Sequence, residues 1–170
     1  MQKKSTQEQQ RLAALHAYHI LDTAIEDDYE ELTELAAAVC GTPIALISLV
    51  DEERQWFKSH RGLDVSETHR SQSFCAHAIE NPTELMQVEN ARLDPRFQNN
   101  PLVTGDPNIA FYAGMPLVDD EGYALGSLCV IDRKPRKLNE VQEKALKTLS
   151  KQVVNKLVLR KKIGDLEAIH

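Results

Sequence analysis

The sequence predicts an α+β domain built around an antiparallel sheet of about five or six strands. Three observations lead there. Two apolar runs are each broken by a short acidic turn, Asp51-Glu52-Glu53-Arg54 and Asp119-Asp120-Glu121-Gly122, which is the pattern of β-hairpins. Helical periodicity appears at both ends of the chain, and strands and helices do not alternate as a doubly wound nucleotide fold requires. At 170 residues, with 42% hydrophobic and 27% charged residues, the chain has the length and composition of one globular domain.

Taken in order, Leu12, Leu15, Tyr18 and Leu21 fall at helical spacing after a polar lead and predict a first helix to about His19. Asp27 or Asp28 can cap a second, with Tyr29, Leu32, Leu35, Ala36 and Val39 on one stripe and Gly41-Thr42-Pro43 as its stop. Ile44 to Val50 and Gln55 to His60 form the first hairpin, closed at Gly62. Ser71 to Ser73 precede a short helix over Phe74 to Ile79, halted by Asn81-Pro82, and Leu85 to Val88 is a brief strand. Between Asn90 and Pro107 three prolines and three asparagines describe a long loop. Ile109 to Val118 and Tyr123 to Ile131 make the second hairpin. In it Gly122 serves the turn, Gly126 permits close approach, and Gly114 and Pro116 suggest a bulge or an edge beside a cavity. From Asn139 a single long helix closes the chain.

Charge and cysteine usage narrow the function classes. Arg133 to Lys162 carries eleven Lys/Arg against two acidic residues, a local +9, while the remainder carries nine basic against twenty-four acidic, or −15. The acidic body repels polyanions, and the basic helix reads as a solvated face rather than a nucleic-acid contact. No apolar stretch approaches about 18 residues, so no membrane partner is expected. The polar N-terminus lacks a signal-peptide pattern. Three widely spaced cysteines, Cys40, Cys75 and Cys129, argue against a disulfide framework or a thiolate zinc site, and point to a reducing, cytoplasmic setting.

The segments ALISLVDEERQWFKSHRGLD (Ala45 to Asp64), SFCAHAI (Ser73 to Ile79), DPRF (Asp94 to Phe97) and FYAGMPLVDDEGYALGSLCVID (Phe111 to Asp132), followed by KPRKLNEVQEKAL, resemble bacterial GAF domains. They do so in order and spacing across most of residues 20 to 150. The resemblance implies a sensory module in signal transduction. Its N- and C-terminal helices would cover one face of the sheet, with a short helix and loops around a small-molecule pocket on the other. It also implies dimerisation through terminal helices and regulation of a kinase, cyclase or phosphodiesterase, which would act in trans or be missing from this chain. The expected organisation is an N-terminal helix over 1–20, a GAF-like sensory domain over 21–150 and a signalling-helix extension over 151–170.

Within that layout the expected pocket residues are Trp56, Phe74, Cys75, His77, Arg96, Phe97, Phe111, Tyr112 and Cys129, aromatics with a few polar groups that suit a modest organic ligand. Each has a plainer role open to it in the core, and Arg96 can instead tie its own loop to Asp94. Cys75 and His77 are two residues apart, so on a helix they point about 200° from one another and do not make a thiolate–imidazolium pair. That leaves Cys75 as packing, pocket wall or redox-sensing thiol. His77 reads as a structural hydrogen-bonding residue, and His16 and His19 as exposed positions or a shared metal face; no metal is expected. There is no adjacent Cys-His for a bilin, no cyclic-nucleotide signature, and no support for haem. The methionine sulfoxide reductases of the family carry a cysteine where the stretch before Ile109 has none, so no catalytic activity is expected and the cofactor is unknown.

The last helix carries Leu146, Leu149, Val153, Leu157, Ile163 and Leu166 as an interrupted heptad. Its first part is expected to cover the sheet, and the part beyond about residue 155 to pair with a second copy in a homodimer. The alternative function is a dimerisation or protein-interaction scaffold whose pocket has collapsed, with a thiol-based redox sensor or enzyme at Cys75 a more distant one.

Overall fold

The computed structural model describes residues 5–169; Met1 to Lys4 of the polar lead, and His170, lie outside the described residues. Six strands form one sheet in the order β3-β2-β1-β6-β5-β4, every neighbouring pair antiparallel. The strands are β1 (Ile44–Val50), β2 (Arg54–Arg61), β3 (Glu67–His69), β4 (Met86–Val88), β5 (Phe111–Val118) and β6 (Ala124–Asp132). Both acidic turns close hairpins as their composition requires, with Gly122 at φ 90° in the second. At Gly126 an added Cβ would lie 1.8 Å from the carbonyl oxygen of Ser48, so only glycine lets β6 run this close to β1. Pro116 pairs with Ser127 past the end of the short β4, where its missing N–H leaves no ladder bond unmade.

Helices α1 (Thr6–Ala17), α2 (Asp27–Cys40) and α5 (Glu140–Ile169) cover one face. Ser5 caps α1 by accepting from the Glu8 amide at 3.1 Å. Glu8 in turn holds Arg11 and Arg70, and Arg11 donates to the Val50 and Ala124 carbonyls, which fixes α1 across the sheet's end. Burial pushes the Glu8 carboxyl up, but the two guanidiniums outweigh it and hold it at about 2.

Helix α2 departs from expectation in two respects. Glu26, not Asp27 or Asp28, occupies the N-cap, without a side-chain cap bond. The buried stripe is Tyr29, Thr33, Ala36, Ala37 and Cys40, rotated about one residue from the expected one, so that Leu35 is 49% exposed. Small residues on that stripe bring α2 close to the sheet. The helix stops where Gly41 takes φ 65°.

An ion pair between the buried Lys58 and the half-buried Glu26 ties this face together. Lys58, the extra residue where the β1–β2 register slips, donates to Thr23 Oγ1, the Ala24 carbonyl and Glu26, and Glu26 also accepts from Arg160 of α5 at 3.2 Å.

Helix α5 runs unbroken through Gly164 for 30 residues, about 45 Å. Leu146, Leu149, Val153 and Leu157 are core residues packed on the chain's own sheet, which removes them from any dimer seam. Leu157, at 1% exposure, is still inside, so the outward reach begins after it rather than at residue 155. Beyond it Leu159, Ile163 and Leu166 are exposed, on a stripe that at about 100° per residue lies about 120° around the helix from the buried one.

The loop expected between Asn90 and Pro107 contains a 3-10 turn over Ala91–Leu93 and the one-turn helix α4 (Pro101–Thr104), each begun by an asparagine side-chain cap. It folds with α3 (Phe74–Ala78) over the other face of the sheet. No helix among the described residues is long and apolar enough to cross a membrane.

Candidate functional site

On the face opposite the long helices, strand parity turns Leu46, Phe57, Tyr112, Cys129 and Ile131 toward α3, α4 and the loops. They enclose a cavity of about 120 Å³. Its apolar wall includes Ile44, Leu46, Phe57, Leu63, Phe74, Leu102 and Ile109, and its polar positions are Gln55, Thr68, Cys75, Asp106, Tyr112 and Cys129. A larger space of about 660 Å³ lies between α5 and β5, lined by Met115, Val154 and Val158 with Lys147 and Lys151. It is an open surface groove, and the enclosed cavity is the better binding geometry despite its size.

The polar atoms form two adjoining networks. Gln55 Oε1 accepts from Ser48 Oγ at 3.0 Å and from Ser73 Oγ at 2.8 Å, while its Nε2 donates to Thr68 Oγ1 at 2.6 Å. Ser73 also caps α3, accepting from the Ala76 amide, and so sets the height of Cys75 over the sheet. Cys75 Sγ lies 3.1 Å from Tyr112 Oη, accepts from Ser127 Oγ at 2.9 Å and sits 4.0 Å from Cys129 Sγ. Tyr112 Oη and Ser127 Oγ are themselves 3.1 Å apart. Tyr112 reaches this point because Gly114 has no side chain: a Cβ there would stand 2.2 Å from the hydroxyl.

These contacts set the titration of the site. Burial alone pushes the Cys75 thiol up, but its hydrogen-bond contacts with Cys129, Ser127, Tyr112 and Ser48 outweigh it and hold Cys75 below the usual thiol range. Cys129 and Tyr112 are pushed up by burial first, and then by Cys75, through its hydrogen bond to Cys129 and its charge facing Tyr112. Cys40, buried on the helix face beside Arg136, is pushed up to about 11 by burial.

Four of the nine expected pocket residues, Phe74, Cys75, Tyr112 and Cys129, line the cavity. Trp56 and Phe111 do not: each is one residue out of phase with the cavity-facing Phe57 and Tyr112, and each packs in the core beneath the helices. Phe97 stacks on the outer side of Phe74 at 4.0 Å, and His77 meets the Phe97 ring edge-on at 4.9 Å. Arg96 ties its own loop to Asp94 through Nε and Nη2, its guanidinium 5.0 Å from the Phe97 ring, and does not reach the cavity. His16 pairs with Asp51 at 2.7 Å, and no cluster of three metal-ligating side chains occurs among the described residues. Gln55, Thr68, Ser48, Ser73 and Ser127 are the contributors that sequence reasoning missed. A serine or glutamine within an apolar strand run is the signal that could have marked them.

A six-stranded antiparallel sheet, terminal helices on one face and a small cavity under a short helix on the other define a sheet-centred α+β domain. The GAF domain family model matches residues 24–157, and the chain belongs to that family. It is 48% identical over 129 residues to a cyclic di-GMP phosphodiesterase of Pseudomonas aeruginosa, a match covering 76% of this chain and 22% of that protein. The chain thus spans about a fifth of this relative's length. Its fold is also that of the GAF domain from an Acinetobacter phosphoenolpyruvate-protein phosphotransferase (TM-score 0.65, 21% identity, 91% of this chain and 95% of that one). The GAF domain of the corresponding Coxiella burnetii protein is similar as well (TM-score 0.64, 14% identity, 95% and 99%).

Proposed function

We propose that this GAF domain is a non-catalytic sensory module that binds a very small molecule in the enclosed cavity and relays its presence through the sheet to α5. The observation that carries this reading is the cavity itself, an apolar chamber with Gln55, Thr68, Tyr112 and Cys75 at its polar positions. Its 120 Å³ is the room of about four waters, which suits a ligand of a few heavy atoms and is far too little for a bilin, a haem or a cyclic nucleotide. The sheet beneath it is shared: Cys129 and Ile131 face the cavity, while Leu128 and Val130 of the same strand belong to the core that α5 completes. A ligand shifts α5 only to the extent that it binds two arrangements of the domain unequally.

The output is read as a signalling enzyme in the same longer chain or in trans, a kinase, a cyclase or, as the relative's name supports, a cyclic di-GMP phosphodiesterase. The reading places the domain in a reducing cytoplasm, to which its three free thiols are suited. A second reading, a dimerisation scaffold with a collapsed pocket, draws on the exposed stripe Leu159, Ile163 and Leu166 and on the small size of the cavity. Native mass spectrometry beside denatured spectra separates the two. A retained adduct of low mass supports the sensor, a bare dimer supports the scaffold, and a bare monomer removes the dimer from both.

A further inference from the structure

We propose that Cys75 and Cys129 are a modification site, a dithiol on the cavity wall that a hydroperoxide converts to a disulfide. Neither the spacing of the cysteines nor the ligand reading requires this, and it stands whether or not the cavity holds a ligand. The two residues are 54 positions apart, yet α3 and β6 bring their sulfurs to 4.0 Å with both facing the same cavity. A disulfide needs about 2.05 Å, so the two sulfurs must close by about 2 Å.

The surroundings assign the roles. Cys75 accepts from the Ser127 hydroxyl and lies within hydrogen-bond reach of the Tyr112 hydroxyl and the Cys129 thiol, groups that can turn their protons toward a Cys75 thiolate. Cys129 lies behind it on the sheet and is the resolving thiol. The cavity admits a molecule of two oxygens, because its volume is about that of four waters. Cys40, equally buried but on the opposite face and away from this cavity, is an internal control in the same chain.

The chemistry balances in two steps. The Cys75 thiolate attacks one peroxide oxygen, forming S–O as O–O breaks; two electrons pass from sulfur to oxygen, and the departing hydroxide takes up the thiol's proton as water. The Cys129 thiol then attacks the Cys75 sulfenic acid, forming S–S as S–O breaks, and its proton leaves with the hydroxyl as a second water. In sum, two thiols and one hydrogen peroxide give one disulfide and two waters. An external dithiol reverses it by exchange.

The test uses the full chain, reduced, freed of reductant and treated with hydrogen peroxide for increasing times before acid quench, alkylation in denaturant and mass analysis. The expected product is a species about 2 Da lighter before alkylation, with a Cys75–Cys129 cross-linked peptide, Cys40 still alkylated, and full recovery with dithiothreitol. Loss of the Cys75 thiol should run at least about tenfold faster than loss of the Cys40 thiol. Cys129→Ser should stop at a sulfenic acid on Cys75 that dimedone captures, and Cys75→Ser should leave Cys129 unreacted; near-ultraviolet circular dichroism reports whether each variant is folded. If a variant does not fold, the peptide map of the unmodified chain decides alone. A cross-link involving Cys40, or no cross-link while Cys75 and Cys40 are lost at equal rates, would overturn the proposal.

Discussion

On the helix-bearing face of the sheet, Leu128, Val130, Leu146 and Val153 meet in a closed apolar core, at whose edge Lys58 pairs with Glu26. On the opposite face the same strands turn Ser48, Gln55, Ser127 and Cys129 toward short helices and loops and leave a cavity among them. One sheet therefore carries two cores with different tolerances. The first is set by volume, where any change of shape is felt by close-packed neighbours, and the second by hydrogen bonds around a space that is already incomplete.

The sharpest way to break both at once is at their shared backbone. Gly126→Ala forces a Cβ into the Ser48 carbonyl, and loss of about 4 kcal/mol or more, or failure to fold, is expected in urea denaturation. Leu146→Ala empties a fully buried site on the helix face and should cost about 2–5 kcal/mol by the same measurement. Enlarging a side chain then separates the faces. Leu128→Phe should overpack its core and cost about 1–3 kcal/mol, whereas Leu46→Phe grows into the cavity and should cost less than about 1 kcal/mol while abolishing any adduct seen in native spectra.

Acid sharpens the contrast at the sheet's end. Glu8 is held at about 2, below its ordinary 4.5, so its contribution is fully present above pH 4.5 and is lost as the pH falls toward 2. After allowance for partial solvent screening, Glu8→Gln should cost about 1 kcal/mol at pH 7 and flatten the stability profile across that acid window. The smallest effect on stability belongs to Ile163→Ser, within about 0.5 kcal/mol, which should nevertheless lower the sedimentation coefficient if the exposed stripe holds two copies together.

Most elements, though not β3 or α4, were legible because local chemistry determines them. Acidic turns, the glycine at residue 41 and the Ser73 cap all act within a few residues of where they stand. The site was only half legible, because the middle of β2 and most of β5 are buried on both faces and carry no alternation from which to read parity. Hence Trp56 was an expected pocket residue when Phe57 is the one that faces the cavity, and Phe111 stood in the same relation to Tyr112. The closeness of Cys75 and Cys129 was out of reach for another reason: it depends on how α3 crosses β6, a tertiary distance that no spacing along the chain encodes.

The placement of Lys58 offers a spectroscopic handle. Its amine has three acceptors and no exposed side-chain surface, so its protons should exchange with water slowly enough to give a resolved nitrogen-15 signal at neutral pH. Because Glu26 divides its carboxylate oxygen between Lys58 and Arg160, that one resonance listens to α5 from inside the sheet, without a label attached to the helix.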